Sequence, residues 1–425
     1  MKWFAILICL AAGTARGEED VRVMTWEECL SRAARLHPEL AAARFQVEQA
    51  VAQVSSARSA LLPHISGRAA YSHSKSSGES GGDSYSYSLS GDQLIFDGFE
   101  SWYNTSRQQQ QLVSTRYSYA LTSSEIRLSL RGAFIDLLEA QQLLNITEEI
   151  AQRRSQQLDM VRLRYQAGTE HKGSLMTAEA NLAEARFDVT SARRDIELAQ
   201  RNLVREMGED TFAPVAADGG LVPPDTPSST PEIDLIAREH PSVLRQSAQV
   251  EAAGYDLKMS EAGFYPEING SASIGRRGDT WPPATESWSA GVSLSLPIFT
   301  GGSRFAQVRS DRAALEETKE TARRTWDNTV YYLEQAWKQL LERTERVGIQ
   351  YQFLQADEER ARISEAQYAT GILSFDNWII IEDNLVRTRK SYLSVKAEAL
   401  RAAAEWEYRT GLTIDKELSG EMQYP

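Results

Sequence analysis

Tyr85–Gly98 reads YSYSLSGDQLIFDG, in which apolar and polar residues alternate for about ten positions and then stop. Almost at once a run begins, Trp102 to Ala167, with no proline and a single glycine, Gly132. Alternation with period two marks a strand that separates two unlike surroundings. The proline-free run marks a helix of roughly 66 residues, which at 1.5 Å per residue is about 100 Å. A strand feeding straight into such a helix sets the terms for the rest of the chain.

The chain has 425 residues, of which 42% are hydrophobic, so it can bury a core. Its formal charge of −13 argues against nucleic acid as a partner, since binding phosphate needs clustered Lys and Arg. Residues 1–17 read as a signal peptide: Lys2, the apolar run WFAILICLAAG, and Ala15-Arg16-Gly17 before Glu18. That run is too short to span a bilayer, and no later segment approaches about 18 apolar residues. Bulky Ile8 before Cys9 argues against a lipid-modified cysteine. With Cys9 in the leader, Cys29 has no partner for an intramolecular disulfide.

The chain repeats itself at an offset of 203 residues. Pro38 maps to Pro241, Pro63 to Pro266, Gly67 to Gly270, Ile95-Phe96 to Ile298-Phe299 and Gly98 to Gly301. Tyr165 and Gly168 map to Tyr368 and Gly371, Glu179 to Glu382, and Gly208 to Gly411, with no insertion between. This is a tandem duplication, with a period far too long for a solenoid.

The first copy covers 18–208, with a strand pair at about 64–97 and a long helical hairpin at about 102–207. The second covers 233–411, with its strand pair at about 267–300 and its hairpin at about 304–410. Residues 209–232, rich in proline, read as a linker, and 412–425 as a C-terminal tail. In each copy a short and a medium helix precede the strands. Leu130, Ala133, Leu137 and Leu138 recur as Leu333, Ala336, Leu340 and Leu341, a stripe suited to long helices packed side by side.

Four amphipathic strands cannot close a barrel, and open edges in a bilayer leave backbone groups with neither partner nor water. Three copies would pool twelve strands, within the range of outer-membrane barrels. Tyr71, Tyr85, Phe96, Trp102, Trp281, Trp288 and Phe299 would supply aromatic girdles. The expected fold is therefore mainly α with a membrane β part.

RSALLPHI, LIFDGFESW, LSLPIFTGGSRFAQV, and the paired YQAGT and YATGILSFDNW resemble the duplicated signatures of TolC-type outer-membrane efflux proteins over nearly all of the mature chain. The resemblance implies a homotrimer with a twelve-stranded barrel in outer-membrane lipid and an α-barrel crossing the periplasm. It also implies a periplasmic adaptor (membrane fusion protein) and an inner-membrane pump of the RND, ABC or MFS type as partners, in efflux or type I secretion. Neither enzymatic activity nor a cofactor is implied. HExxH and glycine-rich phosphate loops are absent from the sequence, and its five histidines never pair at i, i+4 spacing.

In this family the two hairpin tips form the periplasmic aperture. Drug-efflux members tie a Tyr three before the second glycine, and an Arg two after it, to an Asp six after the first glycine. Here the Tyr is Tyr368, the Arg position is Leu373 and the Asp position is Ser174, so that latch is missing. The luminal acidic ring of those members falls on Asn377 and Ile380 and is not carried over. Adjacent Asp376 either forms a like-charge ring in three copies or complements the helix dipole behind Ser374. The resemblance places adaptor docking at Ala167, Gly168 and Thr169, and at Thr370, Gly371 and Ile372. Trp378 reads as core between helices. The competing reading is a periplasmic adaptor or coiled-coil scaffold without a pore, which the duplication and the strand pairs argue against.

Overall fold

The computed structural model describes residues 21–75, 81–225 and 229–419. The signal peptide expected at 1–17, with Cys9, lies outside the described residues, as do 76–80 of the first hairpin tip, 226–228 of the linker and 420–425 of the tail.

Each copy opens with two helices broken at a His-Pro pair. In the first, α1 (Trp26–Leu36) starts on a capping box in which the Thr25 hydroxyl accepts from the Glu28 amide and the Glu28 carboxylate from the Thr25 amide. It stops at His37 because Pro38 cannot donate the next helical bond, and α2 (Pro38–Ser59) begins with that proline. The second copy has α5 (Ile233–Glu239) and α6 (Pro241–Ala262) about His240. The long segments are α3 (Glu100–Gln166) with α4 (Lys172–Glu206), and α7 (Ser303–Ala369) with α8 (Phe375–Arg409). Both α3 and α7 have 67 residues.

The duplicated pairing of a terminal glycine with the His-Pro break has a steric cause. Gly208 ends α4 at φ 75°, and a Cβ there would lie 2.6 Å from His37 Cα. Gly411 repeats this after α8, at φ 78° and 2.7 Å from Pro241 Cδ. Only glycine allows both the left-handed turn and the close approach.

The described residues divide into two compact units. The first draws on those within Met1–His37, Leu128–Thr226 and Leu340–Ala404. Besides the hairpin ends of the long helices it contains a small parallel sheet, β1 (Arg22–Met24) on β4 (Val215–Ala217). Here the linker reading is corrected: Val215, Ala217 and Leu221 are buried, so part of 209–232 is core. Proline-rich composition concealed three apolar residues, too few to give a period. Buried Cys29 is the one free cysteine among the described residues.

The second unit draws on Pro38–Arg127, Pro227–Gln339 and Glu405–Pro425. Its centre is an antiparallel sheet of β2 (His64–Ser74), β3 (Gly82–Phe96), β5 (Glu267–Gly278) and β6 (Thr285–Ser295), in that spatial order. Register brings Tyr71 opposite Tyr85, Leu89 opposite Ile274, and Ile274 opposite Trp288, so the apolar residues of all four strands share one face. Among the described residues nothing covers Ile65, Trp288 and Val292 on that face, which are 72–76% exposed. A bulge at Ile95 shifts the register by one, and Phe96 still faces Ile268. The second strand pair ends at Ser295, short of residue 300, because Pro297 has no amide to continue the ladder. The expected tail also differs, since Ile414–Ser419 forms α9.

The expected helical stripe is buried at Leu130, Ala133, Leu137, Leu138, Leu333, Ala336 and Leu340. Leu341 is half-buried. Among the described residues no helix is long and apolar enough to cross a membrane.

Candidate functional site

The two hairpin tips lie in the first unit. Each long helix ends in a glycine with positive φ, Gly168 at 74° and Gly371 at 80°. After α3 the Thr169 amide donates to Arg164 O at 3.0 Å, and after α7 the Ile372 amide donates to Gln367 O at 2.9 Å. These are Schellman closures, which need a left-handed residue at the glycine position. The expected docking residues Ala167, Gly168, Thr169, Thr370, Gly371 and Ile372 are all exposed, and Ile372 is 77% exposed. The return helix α4 is capped by His171, whose Nδ1 accepts from the Ser174 amide at 3.2 Å.

Between the tips sits a compact aromatic cluster. Tyr368 and Trp378 are fully buried and stacked, with centroids 4.2 Å apart and planes 14° apart. Phe375 meets both rings edge-on, and Leu158, Val161, Ala178 and Leu182 close the cluster. Trp378 is therefore core. Its buried Nε1 has no hydrogen-bond partner among the described residues, so it acts through packing.

The polar atoms of Tyr368 are held by groups the sequence reading passed over. Its hydroxyl donates to Glu170 Oε2 at 3.0 Å. Ser174, itself buried, donates to the other oxygen of Glu170 at 2.9 Å. Arg164 donates to Tyr368 O at 2.6 Å, with its guanidinium 4.7 Å from the Tyr368 ring centre. Where the family pattern has an Asp, the structure uses another carboxylate: Glu170, in the turn and four residues before that position, takes the tyrosine. The serine at that position becomes its second donor. Tyr368 and Ser174 come together through Glu170. Asp376 and Asn377 do not join them; both are exposed in the first turn of α8.

Partial burial pushes the Glu170 carboxyl up. Hydrogen bonds from Ser174, the His171 amide and Tyr368, with the nearby His171, outweigh it and leave the group below its ordinary range. Burial, and then the Glu170 charge, raise the Tyr368 phenol well above its ordinary value. The pair is therefore a neutral donor on an anionic acceptor.

Further along the same helices, a buried charge cluster ties α3 to α8. Arg153 grips Glu382 with two bonds of 2.7 and 2.9 Å, and Gln157 adds a third at 2.7 Å. Glu382 is 1% exposed. Neighbouring Arg154 pairs with Asp383 and donates to Gln157 at 3.0 Å. Among the described residues no group of three or more His, Cys, Asp or Glu is arranged to hold a metal ion.

A family model described as outer membrane efflux protein matches residues 29–209 and 233–406, once for each copy. The outer membrane efflux protein BepC of Brucella suis is 25% identical over 337 residues, which are 78% of this chain and 73% of BepC. The alkaline protease secretion protein AprF of Pseudomonas aeruginosa is 25% identical over 56% of this chain and 50% of its own. Among solved structures, the Campylobacter jejuni CmeC outer membrane channel superposes with a TM-score of 0.80 at 16% identity, covering 92% of this chain and 88% of that one.

Proposed function

Because the chain belongs to the outer membrane efflux protein family, we propose that it is the outer-membrane exit duct of a tripartite exporter. The observation that carries this reading is the four-stranded sheet with one uncovered apolar face and two unpaired edges, β2 and β6. Such a sheet is insoluble as a monomer in water and incomplete as a monomer in lipid. Three copies joined edge to edge satisfy both demands with twelve strands, apolar side to lipid and serine-rich side to the lumen. A periplasmic adaptor or coiled-coil scaffold has no use for such a sheet.

The exposed glycine turns at 167–169 and 370–372 are the docking points for a periplasmic adaptor, which connects the duct to an inner-membrane pump. Glycine lacks a side chain, so a partner helix can approach closely there. The Tyr368–Glu170–Ser174 tether with the Trp378 stack holds the two hairpins together and serves as the latch of the aperture. Release requires parting the aromatic stack of the second hairpin from Leu158, Val161, Ala178 and Leu182 of the first, and breaking the charge-assisted hydrogen bonds of Tyr368 to Glu170 and of Arg164 to Tyr368 O.

The test is the mass and conductance of the detergent-extracted protein. A heat-modifiable trimer that forms ion channels in a planar bilayer is the expected result. A soluble periplasmic monomer would sink the duct reading.

A further inference from the structure

The polar face of the sheet is lined with hydroxyls that pair across strands, Ser66 with Ser90 at 2.8 Å and Ser273 with Ser289 at 3.0 Å. Its charged side chains are ordered. Toward the ends joined to the helices lie two carboxylates, Asp92, opposite His64 and Ser271, and Glu267, opposite Ser295. Toward the hairpin tips lie two arginines. Arg68 is in register with Ser88 and, through it, Gly275; Arg277 is one pleat further out, opposite Ser86 and Thr285.

Both arginines are exposed, and among the described residues neither has an ion-pair partner. Arg276, on the opposite face, pairs with Glu286 at 3.3 Å. Two unpaired arginines on one face stand out in a chain of net charge −13. From two strand spacings and a two-residue offset their Cα atoms are about 12 Å apart. The same-face residues between them, Ser88 with Gly275 and Ala70 with Ser86, are all small, so no bulky side chain separates the guanidinium groups.

We propose that Arg68 and Arg277 form an anion-binding collar in the outward part of the lumen, which recognises phosphate, sulfate or carboxylate groups. The collar rests on the duct reading, since it takes three copies to close it. Twelve strands spaced ~4.8 Å apart and tilted by ~40° enclose a backbone ring roughly 24 Å across. Six permanently charged arginine forks then line one narrow band, where low-dielectric walls concentrate their field. Arginine rings select anions in other pores for the same reason. Asp92 and Glu267 mark the inward part with the opposite sign, so an anionic cargo group meets its attraction only on the way out.

The experiment uses the full chain in detergent, with mass measured by light scattering and inositol hexakisphosphate as the probe in calorimetry. The expected result is a trimer whose affinity for the probe falls at least tenfold in Arg68→Gln/Arg277→Gln and is unchanged in Arg276→Gln. A trimer whose double variant binds as well as the native protein overturns the collar and leaves the duct standing. So does a trimer that does not bind the probe. A loss in Arg276→Gln equal to that of the double variant also overturns the collar, because the probe then sits on the lipid face. A monomer overturns the duct reading, and the collar with it. In planar bilayers, probe added on the hairpin-tip side should reduce native current and spare the double variant; equal block of both counts against the collar.

Discussion

Tyr368 shows how much one position in the sequence can and cannot reveal. Its place three residues before Gly371 marked it as a gate residue, and FDNW marked Trp378 as core. The partners were missed because a carboxylate was sought at Ser174, on α4, whereas Glu170 lies in the turn, one helical turn earlier. The signal was in the sequence: a Glu two residues past a C-capping glycine can reach back across the tip. Tyr368→Phe keeps the stack on Trp378 and removes the bond to Glu170. A hydrogen bond to a charged group contributes about 1.5–3 kcal/mol, so single-channel open probability should rise by roughly tenfold or more. No rise would show that the tether does not hold the aperture. The acid response follows from the depressed Glu170 carboxyl. Its contribution is complete above the ordinary value of 4.5 and disappears as pH falls through the lower folded value. Channel opening attributable to this group should therefore appear only below pH 4.5, and Glu170→Gln should abolish that response.

His240 loses stability in the same direction, for a different reason and at a higher pH. Burial, followed by the charges of Arg409 and Lys416, pushes its imidazole down to about 4. The fold holds it neutral, so the unfolded chain takes up a proton first. Stability is full above the ordinary value of 6.5 and declines as pH falls toward 4, by an amount on the order of 3 kcal/mol. The thermal midpoint in detergent should show that slope, and His240→Asn, which can still cap α6, should flatten it. A slope of the same size in the variant would place its origin elsewhere.

At the scale of elements, what was legible had either a period or a break. Strand alternation, the proline-free helices and the His-Pro breaks were all visible because each repeats a local rule over many residues. What escaped was short. β4 has three residues in a proline-rich stretch, and α9 has six in what read as a tail. Both are fixed by long-range contacts that no local window contains. α9 is held on α3: the Ile414 amide donates to Ser123 Oγ at 3.1 Å, Tyr119 donates to Asp415 at 2.9 Å, and buried Arg127 pairs with Glu417 and, at 2.6 Å, with Glu407. Arg127→Ala leaves carboxylates facing one another in a half-buried site, and breaking such a pair costs about 3–5 kcal/mol. The expected outcome is a clear fall in thermal midpoint and faster proteolysis after Arg409. A change no larger than that from an exposed control, Arg362→Ala, would show that α9 is not a structural strap.

At the scale of the whole molecule, the duplication specifies how copies should join. β2 and β5 are equivalent strands of the two copies, as are β3 and β6, related by 203 residues. Inside one chain β3 meets β5 with Leu89 opposite Ile274 and Ser90 opposite Ser273. If the seam between copies repeats this internal seam, β6 of one copy meets β2 of the next by the same rule. Adding 203 to the β3 residue and subtracting 203 from its partner puts Val292 opposite Tyr71 and Ser293 opposite Ala70. The parity is right: Val292 and Tyr71 both lie on the apolar face, and Ser293 and Ala70 on the polar one. A one-residue slip would turn every side chain of one strand to the wrong surroundings, so lipid on one side and water on the other enforce the register. Ala70→Cys with Ser293→Cys should therefore give a covalent trimer on mild oxidation, since directly opposed Cβ atoms lie within disulfide reach. Tyr71→Cys with Ser293→Cys places the two thiols on opposite faces and should leave monomers on a denaturing gel. Buried Cys29 is common to both variants and cannot account for a difference between them. Efficient cross-linking of the mismatched pair, with none for the matched one, would mean that the seam between copies does not follow the seam within them.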